Sequence, residues 1–419
     1  MMKIKKPRGT RDFPPEEMWE RDYVENIIED VFQNYGYRKV LIPTFEHAEL
    51  FTLKSGEEIE RHMYVFKDKS GRDICLRPEA TASICRMFAE ELRGMKKPIK
   101  IYYCCPMFRY ERPQRGRYRE FWQTGIELIG PENSESDAEV IEIAVRCLEK
   151  LGLRYEVEIG HLGILRDLMC KLRIEEDMQD EIISLVDKGD LDGLKKVVKE
   201  PVIYKLIGLK GDRNVLEEAD SLLKEFDVSR SLEELREILH WLDLVGVNYR
   251  INLGIARGLE YYTGMVFEIR VKNLGAQNQI CGGGRYDSLI ELFSGISVPA
   301  VGFSFGFDRV MESIHAQGAG VIPERRMDVV IAPTSADVKE EAVRIASEIR
   351  GKYDADLDLM GRRLGKLLEY ASEIKARFVI IVGQRDLDEG KVTVRDMDTG
   401  EQEKIDVKEI GDFLDERLA

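Results

Sequence analysis

Apolar positions near the start of the chain follow two periods in turn. Trp19, Tyr23, Ile27, Val31 and Tyr35 recur at helical spacing behind Pro14-Pro15-Glu16-Glu17, a proline and acid pattern suited to a first turn, and Gly36 marks the end. Val40–Phe45, with Pro43 inside it, reads as an edge strand. Met63–Phe66 and Asp73–Leu76 flank Lys69-Ser70-Gly71-Arg72 as a hairpin. That hairpin leads through Arg77-Pro78-Glu79-Ala80-Thr81 into a predicted helix ending near Arg93. An apolar run from Ile99 to Cys105 is answered by Tyr118, Phe121, Trp122 and Ile126, which predicts a long antiparallel hairpin turning at Arg112-Pro113-Gln114-Arg115-Gly116. Ser136-Asp137-Ala138-Glu139 reads as a capping box for a helix through Leu151, and Arg154–Ile159 as a strand.

From about Gly163 to Leu244 the pattern changes to short, charged amphipathic helices, cored by residues such as Leu168, Ile182 and Leu235. Strand periodicity returns at Asn248–Leu253, Met265–Val271 and Gln277–Cys281. Gly282-Gly283-Gly284 is expected to lie between that last strand and a helix from Ser288, where three glycines allow close backbone approach to a ligand. Ala300–Gly306 reads as a strand and Phe307-Asp308-Arg309 as a helix start. Gly318, Gly320 and Pro323 mark a linker. Beyond it, strands and helices alternate, which predicts a small α/β domain with a largely parallel sheet. The expected boundaries are 1–162 and 246–317 for the two parts of a first domain, 163–245 for a helical insertion, 318–326 for the linker and 327–419 for the C-terminal domain.

Composition narrows the chemistry. No apolar run approaches the length of a membrane span and the basic N-terminus has no apolar core of a signal peptide, so a cytoplasmic protein with no membrane partner is expected. Seven cysteines and five histidines show no metal-ligand spacing, so no protein metal site is expected. A net charge of −15 denies the chain a global basic field, so any nucleic-acid contact must come from local patches. The clearest patch is the hairpin turn, where Arg109, Arg112, Arg115, Arg117 and Arg119 cluster. Arginine's planar fork suits phosphate and carboxylate. Gln123 and Glu127, four apart on the return arm, point to one face of a strand. An anion-binding arm beside an acidic, polar arm suggests a site for a phosphorylated and a cationic group together.

Pro106–Glu127, PMFRYERPQRGRYREFWQTGIE, closely resembles the second signature motif of class II aminoacyl-tRNA synthetases, in the form found in the histidyl-tRNA synthetase family. Leu253–Gly264 and Gly282–Asp287 resemble that family's two histidine-specific signatures, and the stretch through Arg309 resembles the third class II motif, with Asp308 where a glutamate is usual. The resemblance covers nearly the whole chain. It implies an α+β catalytic domain on an antiparallel sheet with helices, a helical insertion over the tRNA acceptor arm, and a C-terminal α/β anticodon-binding domain. It also implies a homodimer built through the first motif, the helix, Gly36 and Pro43 region.

The implied activity is ligation of histidine to tRNA(His), with ATP as substrate and Mg²⁺ bridging its phosphates. Arg109 and Arg257 are implied to flank the α-phosphate and the attacking carboxylate, Arg257 touching both reactants. Arg309 is implied at the γ-phosphate, with Arg117 a further phosphate ligand. Glu79, Thr81 and Gln123 are implied to hold the α-ammonium, Glu127 and Tyr262 the imidazole, with Tyr286 lining its pocket. Gln114 and Arg115 are implied to meet the tRNA acceptor end. A different function is carried by a paralogue, the histidine-sensing regulatory subunit of ATP phosphoribosyltransferase. That paralogue lacks the C-terminal domain and the ATP arginines, both of which this sequence retains.

Overall fold

The computed structural model describes residues 4–418 apart from 53–60, 115, 257–260, 273, 275–277 and 321. The chain forms two compact units, Met1–Ile322 and Pro323–Ala419. The first is built on a nine-stranded sheet. Its strands are β1 (Arg38–Lys39), β5 (Ile99–Phe108), β6 (Glu120–Ile129), β7 (Glu156–His161), β8 (Lys210–Gly211), β9 (Arg250–Asn252), β10 (Met265–Arg270), β11 (Gln279–Arg285) and β12 (Ala300–Gly306). They lie in the order β1-β5-β6-β12-β11-β10-β7-β9-β8. The central pairings are antiparallel, and only β1 with β5 and β7 with β9 run parallel. A separate three-stranded sheet joins β2 (Phe45–His47), β3 (Tyr64–Lys67) and β4 (Asp73–Leu76).

The sheet has two chemically distinct faces because side chains alternate along each strand. On one face Ile126, Leu128, Val301, Phe303, Phe305 and Phe267 are buried. Phe303 meets Phe32 and Phe267 at ring-centroid distances of 6.1 Å each. Phe32 belongs to α1 (Pro15–Asn34), so this face packs against that helix, with α2 (Thr81–Met87) and α3 (Ser134–Lys150) contributing to the same core. The opposite face carries Gln123, Gly125 and Glu127 of β6 across from Gly306, Ser304 and Gly302 of β12. Glycine at these positions keeps the floor of a cavity open. A Cβ on Gly302 would collide with the Glu127 carboxylate, and one on Gly284 would press on the Tyr262 ring.

Four local expectations are corrected. The edge strand at 40–45 is broken: only β1 and β2 are strands, and they join different sheets, with Pro43 between them unable to donate to a ladder. The capping box does not form. Helix α3 starts earlier, behind an extended Asn133, so Ser136 already lies within its first turn and its hydroxyl donates to the Asn133 carbonyl at 2.6 Å. Glu139 instead accepts from Lys100 at 2.7 Å. The glycine run does not follow the strand but forms part of β11, where Gly283 pairs with Phe267 and Phe303 and leaves room for their rings. The C-terminal sheet is mixed and not largely parallel. Its strands β13 (Val329–Pro333), β14 (Ala355–Leu357), β15 (Phe378–Val382), β16 (Lys391–Asp396) and β17 (Gln402–Asp406) lie in the order β14-β13-β15-β16-β17. The first two pairings are parallel and the last two antiparallel, since β15 to β17 are joined by short connections.

Residues 162–244 are helical apart from short connections and β8, and their buried Leu168, Ile182, Leu194 and Leu235 share one apolar core with the main sheet. The C-terminal unit has its own core on both faces of its sheet. Because each unit has its own apolar core, a chain ending at Ile322 is expected to remain folded and soluble. Circular dichroism and a cooperative thermal transition would check this, and aggregation of the truncated chain would show that the cores are interdependent.

Candidate active site

The cavity on the glycine-rich face has a volume of about 360 Å³. Its lining includes Glu79, Thr81, Arg109, Arg117, Gln123, Glu127, Tyr262, Tyr286 and Arg309, so nine of the residues singled out in the sequence converge there. Gln114 does not line it. It sits exposed at the tip of the hairpin, bridged to Arg117. Arg115 and Arg257 lie outside the described residues.

Three arginines line the cavity. β5 ends at Phe108, so Arg109 emerges at the strand's mouth, where its Nε donates to the Pro78 carbonyl at 2.9 Å. Its guanidinium lies 5.3 Å from the centre of the Phe121 ring. Arg309 enters from α4 (Phe307–Gln317), donating to the carbonyls of Gly116 at 3.1 Å and Gln279 at 2.8 Å. Arg117 pairs with the buried Glu111. Burial, and then the charges of Arg117 and Arg109, hold the Arg309 guanidinium below its ordinary pKa. Three cations that raise one another's electrostatic energy in a partly buried space form a site for a polyanion.

Other lining residues are acidic and aromatic. Glu79 precedes α2, and its carboxylate accepts the N–H groups of Thr81 at 2.7 Å and Ala82 at 2.9 Å. This satisfies helix-terminal donors and fixes the carboxylate. Burial raises its pKa, opposed by those backbone bonds and by Arg109. Glu127 is buried and accepts from Thr81 Oγ1 at 2.9 Å and from the Tyr286 hydroxyl. Burial pushes the Glu127 carboxyl up to about 8, against the bonds from Tyr286 and Thr81 that favour its charge. Thr81 therefore links the two carboxylates. Gln123 reaches Ser304 Oγ at 3.5 Å. Tyr262 is buried against the cavity, its ring 4.8 Å from that of Tyr261.

Several lining residues were not identified from the sequence. Tyr261 stacks between Tyr262 and Tyr286 and meets the Thr81 hydroxyl. His62, Glu111, Glu268 and Gln279 also line the cavity. Glu268 carries a readable signal: β10 alternates, so Glu268 and Phe267 point to opposite faces. His62 and Glu111 carry none, because a helical residue ahead of β3 and a residue of the hairpin connection are brought together only by the fold. Among the described residues no group of three or more His, Cys, Asp or Glu converges on a metal site. Magnesium bound mainly through phosphates needs only one or two carboxylates, and Glu111 and Glu268 at the arginine-lined cavity fit that requirement. Among the described residues no helix is long and apolar enough to cross a membrane.

Residues 9–310 match the family model for histidyl-tRNA synthetase, and residues 328–417 match the model for an anticodon binding domain. A histidine–tRNA ligase of Methanocaldococcus jannaschii is 47% identical over 420 residues, covering 98% of this chain and 99% of the relative. The crystal structure of apo Staphylococcus aureus histidyl-tRNA synthetase superposes with a TM-score of 0.74 at 28% identity, covering 98% of this chain and 100% of that one. A Bacillus halodurans C structure described as an ATP phosphoribosyltransferase regulatory subunit/histidyl-tRNA synthetase superposes with a TM-score of 0.78 at 25% identity, covering 91% of this chain and 99% of that one.

Proposed function

The chain belongs to the histidyl-tRNA synthetase family, and on that premise we propose how its cavity divides the work. The protein is an ATP-dependent histidine–tRNA ligase: it activates histidine as the adenylate, releasing pyrophosphate, and passes the histidyl group to the 3′ end of tRNA. The regulatory-subunit alternative is disfavoured by the anticodon-binding match and the curated relative.

In the proposed arrangement, ATP lies along the arginines, its α-phosphate at Arg109 and its γ-phosphate at Arg309, with Arg117 nearby. The histidine carboxylate attacks the α-phosphate, and charge that builds there in the transition state is met by fixed cations, the largest kind of catalytic contribution in such reactions. Arg257 is proposed beside the carboxylate. Mg²⁺ would neutralise phosphate charge, held by ATP together with Glu268 or Glu111. Glu79, Thr81 and Gln123 hold the α-ammonium. Glu127 accepts from one imidazole nitrogen, and Tyr262 donates to the other. Gln114, at the hairpin tip, and Arg115 meet the acceptor end of tRNA(His). The single observation that carries this reading is the convergence of three arginines and the buried pair Glu79 and Glu127 on one cavity.

Residues 327–419 are proposed as the anticodon-binding domain and 163–245 as an insertion over the acceptor arm. A homodimer is proposed through the first motif, where Leu41 and Phe45 are 78% and 59% exposed. A cytoplasmic location follows from the role in translation. ATP–pyrophosphate exchange measured with each amino acid tests the function. Exchange is expected with histidine and with no other amino acid, and exchange with none would return the chain to the sensor class.

A further inference from the structure

The N-terminal segment is tied to both halves of the proposed phosphate site without itself lining the cavity. Gly9 accepts the backbone N–H of Arg119 at 2.9 Å, on the shoulder of the hairpin. Arg11 Nη2 and Arg21 Nη1 converge on one carboxylate oxygen, Asp308 Oδ1, at 2.6 and 2.7 Å. The other oxygen of Asp308 accepts the backbone N–H of Trp122 at 2.9 Å, on β6. Asp308 is thus a junction between the N-terminal segment, helix α1, the returning arm of the hairpin and the first turn of α4.

Aromatic rings complete the junction. The Arg11 guanidinium lies 3.9 Å from the centre of the Tyr118 ring and 4.9 Å from that of Phe13. Arg21 lies 4.2 Å from Phe13 and 4.9 Å from Phe307. Arg11 Nε and Arg21 Nη2 are buried and have no hydrogen-bond partner among the described residues. The electron-rich ring faces compensate part of that loss. Tyr118 in turn donates to Glu312, one turn along α4. A buried Arg21 and a half-buried Arg11 sharing one buried anion are costly unless each is held by several contacts, so the arrangement is sensitive to loss of either arginine.

The residue after Asp308 is Arg309, and Tyr118 follows Arg117. We propose that Arg11 and Arg21 are positioning residues for ATP: through Asp308 and Gly9 they fix the hairpin arginines and Arg309 at the spacing a triphosphate requires. This rests on the assignment of the cavity arginines to ATP. It also accounts for aspartate in place of the usual glutamate, since the shorter carboxylate is reached by arginines from two other segments and by a main-chain N–H.

The test is ATP–pyrophosphate exchange with Arg11→Ala and Arg11→Lys, ATP and histidine being varied separately. Arg11→Ala is expected to raise KM for ATP about tenfold, the equivalent of one charge-assisted hydrogen bond, with less than about a twofold change in KM for histidine. Arg11→Lys is expected to recover part of the loss, because an ammonium can still reach Asp308 but cannot stack as flatly on Tyr118. Unchanged constants for both substrates, or parallel changes in both, overturn the proposal. If Arg11→Ala does not fold, Arg11→Lys decides: it must still show a rise confined to ATP. If the wild type gives no histidine-dependent exchange, the functional reading fails. ATP titration of wild type and variant then decides separately, and equal affinities overturn the clamp.

Discussion

Arg109→Ala is expected to cut histidine-dependent ATP–pyrophosphate exchange by about 10²–10³-fold, the usual loss when one preorganised donor to a developing negative charge is removed. The expectation follows from how Arg109 is held. Its Nε is committed to the Pro78 carbonyl, and Phe121 lies beside its plane, so the remaining N–H groups are aimed without further ordering. Its charge also opposes the rise in the Glu79 carboxyl caused by burial. Without Arg109 that carboxyl shifts further toward its neutral form, so KM for histidine should rise modestly as well. The main effect is expected in kcat, since the α-phosphate gains charge only in the transition state. Arg109→Lys should recover little, because a point charge cannot keep the Pro78 contact and present a fork to phosphate. A loss below tenfold in the alanine variant would remove Arg109 from the chemical step.

Glu127→Ala is expected to lower kcat/KM for histidine by about 1.5–3 kcal/mol, the worth of a hydrogen bond to a charged group, with KM for ATP nearly unchanged. A structural partnership of Glu127 with Arg109 or Arg112 would instead weaken both substrates together. Glu127 is hydrogen-bonded to Thr81 and Tyr286, which favours the selective loss. The same residue gives a pH signature. Its folded pKa, raised to about 8, lies above that of an unfolded glutamate. Between those two values the unfolded chain binds fewer protons than the native protein, so stability falls as pH rises through that window. Asp137, buried beside Arg285 and raised to about 6, contributes in the same direction over the lower part. Thermal midpoints of the empty protein should therefore decline from mildly acidic pH to about 8, and Glu127→Gln should flatten the decline. An equal slope in the two proteins would mean that Glu127 is already ionised in the empty site.

Much of the architecture was legible in the chain because its signals are local. The arms around the arginine-rich turn became β5 and β6, in register from Ile99 with Ile129 to Phe108 with Glu120. The short connection at the arginine-rich turn holds the two arms in that antiparallel register. Pro15 at the start of α1 and a left-handed Gly36 after its end likewise act within a few residues. The same locality explains the capping error: Ser136 and Glu139 have the right spacing, but Asn133 upstream sets the helix start and Lys100 captures Glu139.

The sequence by itself determined the two compact regions, the hairpin, the clustering of arginines at its turn and the shared face of Gln123 and Glu127. Each of these depends on residue type and on spacing along one segment. Only the tertiary structure decided that Gly282, Gly283 and Gly284 form a strand, because their constraint comes from Phe303 and Tyr262 across the sheet. It also decided that Tyr286 and Thr81 share Glu127, and that Arg11 and Arg21 meet at Asp308. These contacts join residues tens to hundreds of positions apart. A carboxylate's partners are selected by what the folded chain brings within hydrogen-bond reach of a buried charge, and no spacing along the sequence encodes that distance.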